Sequence, residues 1–277
     1  MGKAFAKLNL YLDITGRLPD GYHEICTVMQ RISLCDEVTV EKADRISVKT
    51  DKSYVPSDGR NTAFKAAKAF FGAAGIEGGA EISVAKTVPV GAGLGGGSAD
   101  AASVLIQLNN IYNAPLTDEE LMKAAVSVGA DVPFCIRGGI ALCKGKGEIM
   151  TPLPGLPECA FLIAKPRFSV KTPAAYAEYD KGGGKCPDYS LFSDALSSGD
   201  LGKICSAMGN ALETPVSRLY PEIAEIKKKI IDTGALSAMM TGSGSAVFGI
   251  YYNESEANAA ASRLRAERLR LFTALPL

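Results

Sequence analysis

Pro89-Val-Gly-Ala-Gly-Leu-Gly-Gly-Gly-Ser-Ala-Asp100 is the stretch on which the reading of this chain turns. Five glycines fall within positions 91–97, so backbone amides can approach a ligand that side chains would keep away. Before it, residues 80–88 (AEISVAKTV) have the β-branched alternation of a strand. After it, Ala101, Val104, Leu105, Leu108, Ile111 and Tyr112 follow i, i+3, i+4 spacing, which predicts a helix from about Ser98 to the stop at Asn113-Ala-Pro115. A glycine loop between a strand and a helix amino terminus aims unpaired N–H groups and the positive end of the helix dipole at one point. Phosphate is the expected occupant.

The surroundings of the glycines exclude three better-known phosphate loops. Gly91-Ala-Gly93-Leu-Gly-Gly96 satisfies G-x-G-x-x-G. A dinucleotide-binding unit, however, needs a second strand ending in an acidic residue about 20 residues on. The chain there has a helix end and Pro115-Leu-Thr-Asp118. A Walker A loop requires Gly-Lys-Ser/Thr where this chain has Gly97-Ser98-Ala99. The protein-kinase loop requires Val two residues past its last glycine, and Ser98 stands there. Ser98 itself is open to two readings, a hydroxyl for a phosphate-bound Mg²⁺ or a cap for the helix.

A chain of 277 residues has room for about two domains. Its 30 Lys and Arg balance 30 Asp and Glu, which leaves no global field to gather a nucleic acid. Seven cysteines without a Cys-x-x-Cys pair, and a single histidine, His23, support neither a zinc site nor a disulfide framework. Buried free thiols in a reducing cytoplasm are the expectation. Met1–Lys7 lacks the apolar run of a signal peptide, and no stretch is long enough to cross a bilayer. A cytoplasmic chain with no membrane attachment and no obligate protein partner is therefore expected.

Residues 4–14 and 33–41 read as strands, separated by the turn-rich Leu18-Pro-Asp-Gly-Tyr22, and 62–74 as a helix. Thr117-Asp-Glu-Glu120 caps a predicted helix over 118–128 that ends at Gly129 and places Asp131 in a connection. A strand pair over 138–150 leads to Pro152-Leu-Pro-Gly-Leu-Pro157, the best linker in the chain. It divides the sequence into domains 1–151 and 158–277. The second half alternates strand 159–165, helices near 173–179, 200–212 and 219–232, strand 245–252 and a final helix 255–269. Asp180-Lys-Gly-Gly-Gly-Lys185 reads as a mobile surface loop.

Pro89-x-x-x-Gly93-Leu-Gly-Gly-Gly-Ser98-Ala resembles the phosphate loop of the GHMP kinases, the family of galactokinase, homoserine kinase and mevalonate kinase. Four further segments narrow the likeness: Ala6-Lys-Leu-Asn-Leu-Tyr-Leu12, Asp20-Gly-Tyr-His-Glu24, Gly129-Ala-Asp-Val-Pro-Phe134 and Thr241-Gly-Ser-Gly-Ser245. They are similar to a branch whose acceptor is a cytidine diphosphate-linked methylerythritol, and the similarity runs nearly the full length. The resemblance implies an α+β, two-domain GHMP kinase architecture. Its N-terminal mixed α/β domain binds ATP, its C-terminal domain is α+β, and the active site lies in the cleft between them. The implied activity is transfer from MgATP to the acceptor's 2-hydroxyl, in non-mevalonate isoprenoid precursor synthesis.

The same resemblance assigns roles. Pro89, Val90, Gly91, Ala92, Gly93, Leu94, Gly95, Gly96, Gly97, Ser98 and Ala99 hold the ATP phosphates, with Asn61 and Lys86 near the adenine. Ser98 meets the Mg²⁺. Asp131 becomes the general base, and Lys7 contacts both it and the reacting hydroxyl, offsetting charge as it develops. Asn9 binds the diol, since an amide both donates and accepts. Tyr22 and His23 grip the cytosine base, with Tyr176 as a second aromatic across it and Thr172 nearby to hydrogen-bond. Taken singly, each is equally an ordinary surface charge, turn amide or packed aromatic. Two positions depart from the common pattern: Ala99-Asp100 replaces Ser-Asn, and residue 176 is Tyr where Phe is frequent. The added carboxylate either changes Mg²⁺ handling or complements the helix dipole. Kinases of sugars, mevalonate or amino alcohols are disfavoured by Tyr22-His23, since those acceptors carry no base to read. A non-catalytic nucleotide binder is disfavoured by Lys7 and Asp131.

Overall fold

Alternating side chains carry the amino terminus into two long strands, β1 (Gly2–Arg17) and β2 (His23–Ala43). The computed structural model describes residues 1–265 and 268–277. After β3 (Ser47–Thr50) come α1 (Thr62–Ala74), β4 (Gly79–Ala85), α2 (Gly96–Ile111), α3 (Asp118–Val128) and α4 (Val132–Arg137). Next are β5 (Ile140–Lys144), β6 (Ile149–Pro152), β7 (Ala160–Lys165), α5 (Thr172–Gly182), α6 (Tyr189–Ser198) and α7 (Leu201–Ala207). The chain finishes with β8 (Gly209–Asn210), α8 (Glu213–Leu219), α9 (Glu222–Asp232), β9 (Ser237–Met240), β10 (Val247–Tyr251), α10 (Glu254–Arg263) and β11 (Arg270–Ala274). This is the expected mixture of helices and sheets. The residues gather into two compact units: Met1–Ala6, Cys35–Pro89 and Gly95–Gly138 in the first, and Lys7–Leu34, Val90–Leu94 and Gly139–Leu277 in the second. Because β1 and β2 are so long, each contributes residues to both.

In the first unit, β4 lies antiparallel to β2, Glu37 opposite Ala85, and parallel to β3 on its other side. Phe70, Ile82, Leu105 and Leu108 are fully buried where the helices cover this sheet. Helix α1 starts because the Asn61 side chain accepts from the Ala63 N–H, and it ends at Gly75 in the left-handed conformation. Helix α3 starts on a complete capping box between Thr117 and Glu120. Both spans coincide with the sequence reading.

In the second unit, β5 pairs with residues 27–30 of β2 and with β6, and β8 joins β1 in parallel at Tyr11 and Leu12. A separate antiparallel sheet runs β11-β7-β10-β9. Every residue of β7 and β10 is buried, so these central strands read as continuous rather than alternating apolar runs. Ile223, Ile226 and Ile230 form the buried stripe of α9.

Several expected elements change. The final helix stops at Arg263, and its expected residues 266 and 267 lie outside the described residues. Beyond them, past the end of the expected helix, β11 is a strand that the sequence reading did not foresee, formed by its pairing with β7. The span 200–212 breaks after Ala207 into strand β8, and 219–232 splits at Pro221, which ends one helix and opens the next. The expected loop at Asp180 is the last turn of α5, which runs to Gly182. Helices α4 and α6 and strand β9 were not foreseen. All seven cysteines are free thiols, with Cys35 and Cys186 half-buried and the rest buried. Among the described residues no helix is long and apolar enough to cross a membrane.

Candidate active site

The leading half of the glycine loop belongs to the second unit. Gly91, Gly93 and Gly95 take positive φ, while the alternate Ala92 and Leu94 are buried and fasten the loop. The Ala92 carbonyl accepts from Ala246 N–H at 3.1 Å, and the Leu94 carbonyl from Lys7 N–H at 3.0 Å. Gly93 is required twice over. Its φ is +78°, and a Cβ there would stand 2.1 Å from the Thr241 carbonyl oxygen.

Strand β1 presents Lys7 and Asn9 on one face, because residues two apart in a strand point the same way. Both are buried, at 4% and 1% exposure. The Lys7 ammonium donates to Asn9 Oδ1, Asn9 Nδ2 donates to Thr27 Oγ1 at 2.8 Å, and the Thr27 hydroxyl donates in turn to the Tyr11 carbonyl. Asn9 N–H donates to Thr241 Oγ1 at 3.0 Å. A Cβ on Gly242 would meet Asn9 Oδ1 at 3.1 Å and Lys7 Nζ at 3.4 Å, so this glycine leaves space beside the pair. Asn210 secures that turn by donating to the Met240 and Gly242 carbonyls. Thr27, Asn210 and Thr241 were not singled out from the sequence. Thr241 entered the sequence reading only within Thr241-Gly-Ser-Gly-Ser245, one of the segments that carry the family resemblance, without a role of its own.

The trailing half of the loop belongs to the first unit. Helix α2 begins at Gly96, two residues earlier than the spacing predicts, with Gly95 at the N-cap. Ser98 therefore lies within the first turn, half-buried, and does not cap the helix. Thr62 Oγ1 donates to the Gly97 carbonyl at 2.7 Å and braces this turn. Asn61 spends its side chain on the α1 cap and on donating to the Pro56 carbonyl.

Lys86, beside Gly96, is buried between two carboxylates: Asp36, and Asp100 at 2.7 Å. Asp36 also accepts from the N–H groups of Thr87 and Val88 at 2.6 and 2.7 Å, which fixes the approach to the loop. Asp100 thus turns toward Lys86, a partner that the sequence reading did not name. Burial works against the Lys86 charge, but Asp100 and Asp36 together hold its pKa above the ordinary value. For Asp100 the balance favours the neutral form. Burial, only partly offset by Lys86, pushes its pKa up to about 7, and Asp36 adds like charge. Its Oδ1 is buried without a hydrogen-bond partner. Asp131 stands half-buried at the N-cap position of α4, its side chain making no cap hydrogen bond.

A third cluster lies in the second unit. The His23 ring stacks on Tyr176, centroids 4.7 Å apart and planes at 26°, with Tyr179 edge-on at 6.2 Å. Its Nε2 lies 2.7 Å from Asp180 Oδ1, and Arg17 pairs with the same carboxylate. Tyr176, Tyr179 and Asp180 follow i, i+3, i+4 spacing along α5, so one helix face grips the ring. Tyr176 thus meets His23 itself. Tyr22 is exposed, its ring under the Lys146 ammonium at 4.2 Å. Thr172, at the start of α5, hydrogen-bonds Ser243.

Two family models match the chain: "GHMP kinases N terminal domain" over residues 61–139 and "GHMP kinases C terminal" over 192–269. A 4-diphosphocytidyl-2-C-methyl-D-erythritol kinase of Syntrophomonas wolfei is 41% identical, the match covering 98% of this chain and 95% of that protein. The protein of that name from Alkaliphilus metalliredigens is 42% identical over 95% of this chain and 91% of its own length. A crystal structure of a 4-(cytidine 5'-diphospho)-2C-methyl-D-erythritol kinase superposes with a TM-score of 0.83 at 36% identity, covering 99% of this chain and 98% of that one. The homoserine kinase of Cytophaga hutchinsonii shares the fold, with a TM-score of 0.75 at 20% identity and coverage of 99% and 94%.

Proposed function

This chain belongs to the GHMP kinase family, and from that membership we propose that it transfers the terminal phosphoryl group of ATP to the 2-hydroxyl of 4-diphosphocytidyl-2-C-methyl-D-erythritol, a step of non-mevalonate isoprenoid precursor synthesis. The observation that carries this reading is the buried Lys7–Asn9 pair against the loop residues Gly93 and Leu94. A lysine buried beside a phosphate loop places a fixed positive charge where a transferring group develops negative charge.

In this reading, the N–H groups from Gly91 to Ala99 receive the phosphates. Asn9 orients the acceptor diol, and Asp131 takes the proton of the attacking hydroxyl. Mg²⁺ bound with the nucleotide would neutralise charge on the β and γ oxygens. The residues present suit it: Ser98 supplies one hard oxygen in the first turn of α2, enough for an ion that rides on phosphates and keeps its waters. Asn61 and Lys86 shape the adenine side through backbone and packing, since their side-chain polar groups are engaged within the protein. Tyr22, His23, Thr172 and Tyr176 form the cytosine side. Each family model lies inside one of the proposed domains 1–151 and 158–277, while the compact units draw residues 7–34, 90–94 and 139–151 to the second. Free thiols throughout suit a reducing, cytoplasmic setting.

Coupled ADP release with cytidine-linked methylerythritol, mevalonate, homoserine and galactose offered separately tests the assignment. Turnover is expected with the first alone, and is lost in Asp131→Ala while ATP binding survives. Background rates with the cytidine-linked acceptor would remove the proposal.

A further inference from the structure

We propose that Asp180 is a positioning residue that sets the tautomer of His23, leaving Nδ1 as an acceptor for the exocyclic amine of cytosine and so separating cytosine from uracil. The inference rests on the reading of the acceptor as a cytidine-linked diphosphate. Its physical basis is the 2.7 Å contact between His23 Nε2 and Asp180 Oδ1. An ionised carboxylate can only accept, so Nε2 carries the hydrogen, and the neutral ring then offers a lone pair at Nδ1. Asp180 is held ionised from two sides. The hydrogen bond from His23 is the main influence holding its carboxyl below the usual range, and Arg17 adds its charge.

The rest of the cluster restricts the ring to that one orientation. Tyr176 covers a face of the imidazole and Tyr179 meets it edge-on, so rotation about the ring's bond to the chain would break both contacts as well as the Asp180 bond. Only 12% of the His23 side chain is exposed. Cytosine presents an N–H₂ donor where uracil presents a carbonyl oxygen, so a lone pair held there attracts one base and repels the other. A histidine free to exchange tautomers would pair with both. The contact that removes this freedom comes from a residue 157 positions away, on a helix turn that the sequence alone makes a loop.

The chain has one histidine, so the imidazole signals of ¹⁵N-labelled protein belong to His23 without assignment. At mildly alkaline pH the ring nitrogens are expected to show Nε2 protonated and Nδ1 unprotonated. Asp180→Ala should move the ring toward mixed tautomers. It should also lower the preference for cytidine-linked over uridine-linked acceptor by roughly tenfold, through KM with kcat little changed. Asp180→Glu should restore part of both. A wild-type ring protonated on Nδ1, or an Asp180→Ala variant that keeps the wild-type preference, overturns the proposal. Should wild-type protein fail to turn over the cytidine-linked acceptor, the functional reading falls, while the ring spectrum still decides whether Asp180 sets the tautomer.

Discussion

Asn9 gives the buried Lys7 ammonium an acceptor. An ammonium at 4% exposure needs an acceptor, and Asn9 supplies one while its amide nitrogen is satisfied by Thr27. Asn9→Ala removes both bonds at once: the Thr27 hydroxyl loses the donor it accepts from, and the Lys7 ammonium loses one acceptor. We expect a loss of about 1–3 kcal/mol in urea unfolding together with a sharp fall in kcat. Unfolding within about 0.5 kcal/mol of wild type would show that water replaces Asn9 without cost. The resemblance gave Lys7 and Asn9 separate roles and no bond between them; their shared face was legible in sequence, since KLNLYL alternates and sets every second residue on one face. Thr241 was not. Its hydroxyl reaches Asn9 across 232 positions of sequence, and no local pattern reports a contact of that range.

Among the elements, the connection from β4 to α2 is held by charge. Asp36 on β2 grips the N–H groups of Thr87 and Val88 and pairs with Lys86, which pairs in turn with Asp100 in α2. Asp36→Ala strips one carboxylate from a buried ammonium and orphans two amides, so a cost of about 3–5 kcal/mol is expected in chemical denaturation. Asp100 gives the same cluster a pH signature. Its pKa is raised from an unfolded value near 3.8 to about 7, so the folded chain binds more protons across that interval and stability falls as pH rises through it. Asp100→Asn cannot titrate. The stability of wild type minus that of Asp100→Asn should therefore decrease between about pH 4 and 7, by a few kcal/mol. A difference that is flat or rising with pH would contradict this. Elements that announce their own ends were legible: Asn61 and Gly75 bracket α1, and the Thr117–Glu120 box opens α3. Strand β11 was not, because it is a strand only by pairing with the distant β7, whereas the unforeseen β9 pairs with its sequence neighbour β10.

At the scale of the whole chain, the last eight residues carry more than their number suggests. Strand β11 pairs with β7 through five residues, from Arg270 opposite Lys165 to Ala274 opposite Phe161. Beyond it, Leu275 and Leu277 exchange backbone bonds with Ser33 and Arg31, and Gln30 donates to the Leu277 carbonyl. Within the second unit, one short segment thus ties the four-stranded sheet to β2, at opposite ends of the sequence. The linker reading divided the chain at 152–157 and could not anticipate this, since it treats neighbours in sequence as neighbours in space. Deleting residues 270–277 would leave β7, every residue of it buried, as an open edge. The loss of one ladder and of the bonds to β2 should amount to several kcal/mol. At about 2–4 °C per kcal/mol for a chain of this class, the midpoint should fall by more than about 10 °C, with aggregation from the exposed edge. Circular dichroism melts and soluble yield of the shortened chain measure both effects. A midpoint within about 2 °C of wild type would mean that β10 alone holds β7 in place, and that the closing strand contributes nothing to the fold it completes.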